Sequence, residues 1–163
     1  MLRAGEAGPE SVGVDAMNIE AVNLQYAADL MRKHYEAVGF IPAPKLAAYA
    51  SVGQLFEEME NGEPCGYVVF GNGWPTLRIY QALIQYDAQR REHGLSLVAR
   101  VMKRAEQRGC HAVSLWCAND LPSNEFWVAA GFNLIGQRAG GVRRGRVHNH
   151  WVRPCITPQL GLL

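Results

Sequence analysis

The stretch Gln89-Arg90-Arg91-Glu92-His93-Gly94-Leu95-Ser96 gathers residue types suited to holding an anion. It joins a run rich in β-branched and aromatic residues, Leu77 to Tyr86, to a segment where Leu97, Val98, Val101, Met102 and Ala105 recur at the helical period. The first turn of such a helix leaves backbone N–H groups without intrahelical partners, and the helix dipole adds partial positive charge there. Gly94 has no side chain to keep a ligand away from those amides, so a phosphate group suits the turn. Arg91 and His93 can add charge and Ser96 a hydroxyl. Glu92 does not spoil the turn, because the amides rather than the side chains do the binding. The competing reading is an ordinary strand-to-helix connection.

Two further groups invite chemistry. His148-x-His150, with Cys155 nearby, puts two imidazoles on one face of a strand, but no second ligand pair follows at a zinc-like spacing, so no metal is expected. Arg138, Arg143, Arg144, Arg146 and Arg153 crowd the C-terminal quarter of a chain whose net charge is only +1. Glycines between them and Trp151 at their end leave two readings. One is a surface that attracts phosphate, including nucleic acid, through Arg143, Arg144 and Arg146; the other is a solvated hairpin.

These groups need a frame, and the spacing predicts one. Ala16 to Val22 reads as a strand, and Asn23 to Val38 as a helix with Gly39 as its cap. Pro42 and Pro44 open a short helix over Lys45 to Ala50. Val52 to Glu60 and Glu63 to Phe70 flank Asn61-Gly62, a hairpin signal because both turn positions need positive φ. In the next strand Tyr80, Ala82, Ile84 and Tyr86 alternate onto one side. Gly109 closes the third helix, His111 to Cys117 forms a strand, and a fourth helix ends at Gly131. Phe132 to Arg138 and Arg146 to Arg153 complete the set as two last strands.

Arg91-x-x-Gly94-x-Ser96, following a strand and opening a helix, resembles the pyrophosphate loop of the GNAT superfamily of N-acetyltransferases, with Ser96 where glycine or alanine is usual. Asn119 and the segment from Asn124 through Phe126-Trp127 to Gly131-Phe132 resemble the family's second signature. The first helix followed by Gly39-Phe40-Ile41-Pro42, together with the arginine-rich hairpin, is similar to short phage and prophage members. The resemblance implies a single α/β (α+β) domain: a mixed, mostly antiparallel sheet of about seven strands flanked by about four helices, with strands four and five splayed.

It further implies that acetyl-CoA is the co-substrate of an N-acetyltransferase. The amides of Arg91, Glu92, His93, Gly94, Leu95 and Ser96 would hold the pyrophosphate. The backbone of Ile84, Gln85 and Tyr86 would line the gap for the pantetheine arm and polarise the acetyl carbonyl. Asn119 and Asn124 would contact the arm, or alternatively cap the fourth helix or stabilise its entry turn. Trp127 stands where many members have the tyrosine that protonates the departing thiolate, and an indole is not such an acid. The proton then comes from another group or from water, or the chain binds coenzyme A with little turnover. Glu57, Glu58, Glu63 and Asp87 are candidates for the base that deprotonates the amine acceptor.

Bulk properties fit this reading. A chain of 163 residues, 48% hydrophobic and 19% charged, suits one domain over 16–156 between tails at 1–15 and 157–163. No apolar run approaches the ~20 residues that a membrane helix needs. Cys65, Cys110, Cys117 and Cys155 show no paired spacing, which suits reduced thiols in a cytoplasmic protein, monomer or homodimer.

Overall fold

The computed structural model describes residues 21–89, 92–143 and 145–156. Asn23 caps helix α1 (Leu24–Val38) by accepting from the Tyr26 N–H at 3.0 Å, and Gly39 ends it at φ 82°. Pro42 sets up α2 (Ala43–Ser51). Strands β1 (Leu55–Glu60) and β2 (Glu63–Phe70) form the expected hairpin, with φ of 53° at Asn61 and 80° at Gly62. The first of them begins three residues later than the sequence suggested. Val52 and Gly53 still turn off the end of α2, their N–H groups bonded to Tyr49 and Ala50.

Strand β3 (Thr76–Ile84) pairs antiparallel with β2, and helix α3 (His93–Gln107) then carries the chain back to β4 (Ala112–Ala118), which runs parallel to β3. Helix α4 (Ser123–Ala129) and the hairpin of β5 (Asn133–Ala139) and β6 (Val147–Pro154) complete one sheet in the order β1-β2-β3-β4-β6-β5. The described residues thus hold six strands with five neighbour pairings, four of them antiparallel and one, that of β3 with β4, parallel. The strand expected over Ala16–Val22 lies mostly outside the described residues, as do both expected tails.

Apolar residues cover the sheet on both sides. On one, Leu97, Val98, Val101, Met102 and Ala105 of α3 meet Phe56, Val68, Phe70, Leu77 and Val113, with Trp127 and Phe132 from the α4 region. Each large side chain buried there contributes about 1.5–3 kcal/mol. On the other side, Ala27, Leu30, Met31 and Leu46 of α1 and α2 close over Tyr67 and Val69.

Strands β3 and β4 share only three paired positions, Thr76 with Ala112, Leu77 with Val113 and Arg78 with Ser114. Beyond Arg78 they part. At the same level β3 carries a bulge, since Val69 faces Gln81 while Phe70 faces Ile79, leaving Tyr80 extra. The bulge shifts the alternation that the sequence suggested. Tyr80 packs on Tyr49 of α2 with ring centroids 5.7 Å apart, whereas Ala82 and Ile84 join the α3 side. Tyr86 shares neither face. It stands 86% exposed in a 3-10 turn, Tyr86–Ala88.

Candidate functional site

The parting of β3 and β4 opens a cleft of about 1210 Å³ through the sheet. One end is framed by the first turns of α3 and α4, the other by the last turn of α1 and the β5–β6 hairpin. Glu92, the residue before α3, takes the left-handed conformation (φ 65°, ψ 5°), and no side chain caps the helix. Its first amides are therefore left for another partner, at the rim of the cleft. Gly94 is needed there for a second reason. A Cβ on it would come 2.8 Å from Phe126 Cε2, so the close approach of α3 to α4 requires glycine.

The predicted site residues fall into three groups. Ile84, Glu92, Gly94, Leu95 and Trp127 line the cleft. His93 and Ser96 turn away from it to β1: His93 Nδ1 lies 3.1 Å from Glu58 Oε1, His93 Nε2 3.6 Å from Glu60 Oε1, and the Ser96 hydroxyl donates to Glu58 at 3.2 Å. Gln85 and Tyr86 border a separate hollow of about 350 Å³ beside α1. The Gln85 N–H is spent on Cys65 O at 2.8 Å, and its side chain accepts from the Tyr26 hydroxyl at 2.8 Å. Arg91 and Arg144 lie outside the described residues.

Asn119 donates its backbone N–H to Val147 O at 2.8 Å. Asn124 uses the whole capacity of its amide internally. It donates to Ala118 O and Leu121 O, each at 2.8 Å, and accepts from Asn149 Nδ2 and Trp151 Nε1, each at 3.0 Å. The alternative reading of this residue, an anchor for the entry to α4, is the role its contacts display.

The chemistry-bearing groups of the cleft differ from those expected. Glu57 accepts from the Asn23 N–H at 2.6 Å on the α1 side, Glu58 is held by His93 and Ser96, and Asp87 borders the smaller hollow. Glu36, Glu125, His34 and His148 line the cleft instead. Cys117 lines it too, but burial pushes its thiol upward, outweighing the Ser123 hydroxyl 3.3 Å away, so the thiol stays protonated at neutral pH. His148 Nδ1 is buried and has no hydrogen-bond partner among the described residues. Of these groups only His148 was singled out in the sequence, and then for a metal; their shared place in the cleft depends on how α1, α4 and the strands assemble.

Of the C-terminal arginines, Arg146 is committed. It reaches Asp120 Oδ1 at 3.0 Å and Glu36 O at 2.7 Å, strapping the hairpin to α1 and to the β4–α4 loop across the cleft. Its guanidinium holds the Asp120 carboxyl below its ordinary range. Arg153 points to α4, donating to Ala130 O at 3.0 Å. Arg138 and Arg143 line the cleft, together with Arg78, which the sequence did not single out. No cluster of three potential metal ligands and no helix long and apolar enough to cross a membrane occurs among the described residues.

This geometry has many counterparts among solved structures. N-acetylglutamate synthase from Neisseria gonorrhoeae, complexed with coenzyme A and N-acetyl-glutamate, superposes with a TM-score of 0.71 at 17% identity over 85% of this chain. This chain spans only 34% of that synthase. The ribosomal-protein-S18-alanine N-acetyltransferase from Escherichia coli matches 88% of this chain and 95% of its own, at 15% identity and a TM-score of 0.68. An aminoglycoside 6'-N-acetyltransferase complexed with coenzyme A matches 82% of this chain and 91% of its own, at 11% identity and a TM-score of 0.69. Among curated protein sequences none matches. The sequence profile of the acetyltransferase (GNAT) family, however, matches residues 23–132, which include the parted strands, α3 and α4. With that match over most of its length and the same fold around its cleft, the chain belongs to the acetyltransferase (GNAT) family.

Proposed function

We propose that the chain transfers an acetyl group from acetyl-CoA to an amine by direct attack. The observation that carries this reading is the meeting of two features: an opening between β3 and β4 beyond Arg78 and Ser114, and the uncapped start of α3 at its rim. A pantetheine arm is extended and rich in amide groups, so it fits between strand edges that have lost their partners. A pyrophosphate fits a helix start without a cap. The backbone strain at Glu92 is the kind that persists where a loop has a ligand to hold. Relatives of the same fold include two complexed with coenzyme A, which supports the choice of co-substrate.

The amine nitrogen attacks the acetyl carbonyl carbon, the C–S bond breaks, and the proton lost by the amine is matched by the one the thiolate gains. The protonated Cys117 thiol is no nucleophile, which favours direct attack over an acyl-cysteine route. Trp127, packed edge-on between Phe126 and Phe132, serves as cleft wall rather than acid, so water protonates the thiolate. His148, His34, Glu36 and Glu125 are the cleft groups that can take the amine proton.

Calorimetry with acetyl-CoA should show saturable, one-to-one binding, and a thiol reagent should detect free coenzyme A when an acceptor is added. A protein that binds no acetyl-CoA would rule this function out.

A further inference from the structure

The cleft wall formed by β3 and the β5–β6 hairpin carries arginines that are paired with no carboxylate among the described residues. Arg78, Arg138 and Arg143 line it, and none forms an ion pair among the described residues. Two of them are held in place. The Arg138 guanidinium lies 4.0 Å from the ring centroid of Trp116, and that of Arg78 lies 5.6 Å from the centroid of Tyr80. Trp116 is itself stacked on His150, with centroids 4.0 Å apart and planes 9° from parallel. These side chains come from β3, β4, β5 and β6, so the sheet brings together groups that lie up to seventy-odd residues apart in sequence.

Both guanidinium groups line the same cleft, each over an aromatic ring of its wall. Burial lowers the pKa of His150, and the charges of Arg138 and Arg78 lower it further, so both arginines act within electrostatic reach of this imidazole. The histidine is therefore neutral at neutral pH and supplies no counter-charge. A guanidinium fixed by stacking loses little freedom when it binds, and its planar fork matches a carboxylate or phosphate with two parallel hydrogen bonds. Unanswered cations on a partly enclosed wall also strengthen any anion contact relative to open water.

We propose that the acceptor is a small amine bearing an anionic group, carboxylate or phosphate, which Arg78 and Arg138 bind beside the Trp116–His150 stack. The inference rests on the acetyl-transfer reading and deepens it. The same positive field disfavours the ammonium form of the acceptor, which helps deliver the neutral amine that attack requires. A polyanion is the less favoured guest. Arg146, at the mouth, is already paired with Asp120, and the remaining cations line a cleft rather than a broad surface.

The test uses the full chain and matched acceptor pairs: L-amino acids against their carboxamides, and phosphoethanolamine against ethanolamine, with release of free coenzyme A as the readout. Acetyl-CoA binding is measured separately. The expected result is faster turnover of the anionic member in at least one pair, and which pair responds identifies carboxylate or phosphate. Arg138→Gln and Arg78→Gln should each raise the KM of that acceptor by about tenfold, as loss of a charged hydrogen bond does, while acetyl-CoA affinity stays as in the parent. Arg138→Lys, which keeps the charge and loses the fork, should fall between. Equal rates across every pair, including no turnover of either member, overturn the inference even if acetyl-CoA binds. So does tight, salt-sensitive binding of a single-stranded oligonucleotide that is lost in Arg138→Gln. Failure to bind acetyl-CoA is instead the failure of the function itself.

Discussion

Single side chains in this protein show how the same residue type serves structure or site according to what it touches. His93 lies within the turn that the sequence suggested for an anion, yet its two ring nitrogens face Glu58 and Glu60 on β1. The hydrogen bond that its ring N–H donates to the Glu58 carboxylate raises its pKa against the opposing effect of burial, with Glu60 adding to the rise. A pKa raised on folding means that the bridge stabilises fully below the unfolded value and is lost as pH climbs through the folded one. His93→Gln should therefore lower the melting temperature by about 1–3 °C near pH 5.5, the size expected of a modest, partly buried ion pair. The difference should shrink as pH rises above the ordinary imidazole range and through the raised folded value. A gap between parent and variant that widens with rising pH, followed by thermal melts, would contradict this role.

At the scale of elements, the site depends on how closely α3 and α4 begin beside one another. Asn124 ties the start of α4 to β4 and β6 through four hydrogen bonds, and Gly94 lets α3 approach the Phe126 ring. Gly94→Ala puts a methyl where the rigid ring already is, which should cost about 1–3 kcal/mol in urea unfolding. With Phe126→Leu in the background, the penalty for the same change should drop below about 0.5 kcal/mol, a coupling that a double-mutant cycle reads directly. Equal penalties in both backgrounds would mean that the glycine answers to something other than this packing. Acetyl-CoA affinity in the double variant then separates the two uses of the residue. If it recovers with stability, packing sets it; if it stays low, the glycine also makes room for the ligand.

For the molecule as a whole, binding in a cleft that divides the sheet should stabilise the fold by mass action. Acetyl-CoA at about a hundred times its Kd contributes about 2.7 kcal/mol, or about 5–11 °C in melting temperature for a domain of this size. An unchanged melting temperature under that excess would place the ligand elsewhere or nowhere. Much of the frame was legible beforehand. The apolar period of Leu97 to Ala105, the Asn61-Gly62 turn and the glycines closing three helices are local signals, because they reflect bond geometry and one-sided burial within a few residues. The same local information marked the start of α3 as a place for an anion. It misjudged the alternation around Tyr80, since a bulge is set by the partner strand, and it left open whether Asn124 serves a ligand or the entry to α4, which its contacts to other elements decide. Nor did it reveal Arg78, Trp116 and His148 as cleft residues, because each looks like any outward position of a strand. By itself the sequence determined most of the elements, their order and the glycine-bearing turn before α3. Only the tertiary structure decided which side chains meet, because the cleft exists where β3 and β4 stop pairing, and strand divergence is a property of the assembled sheet.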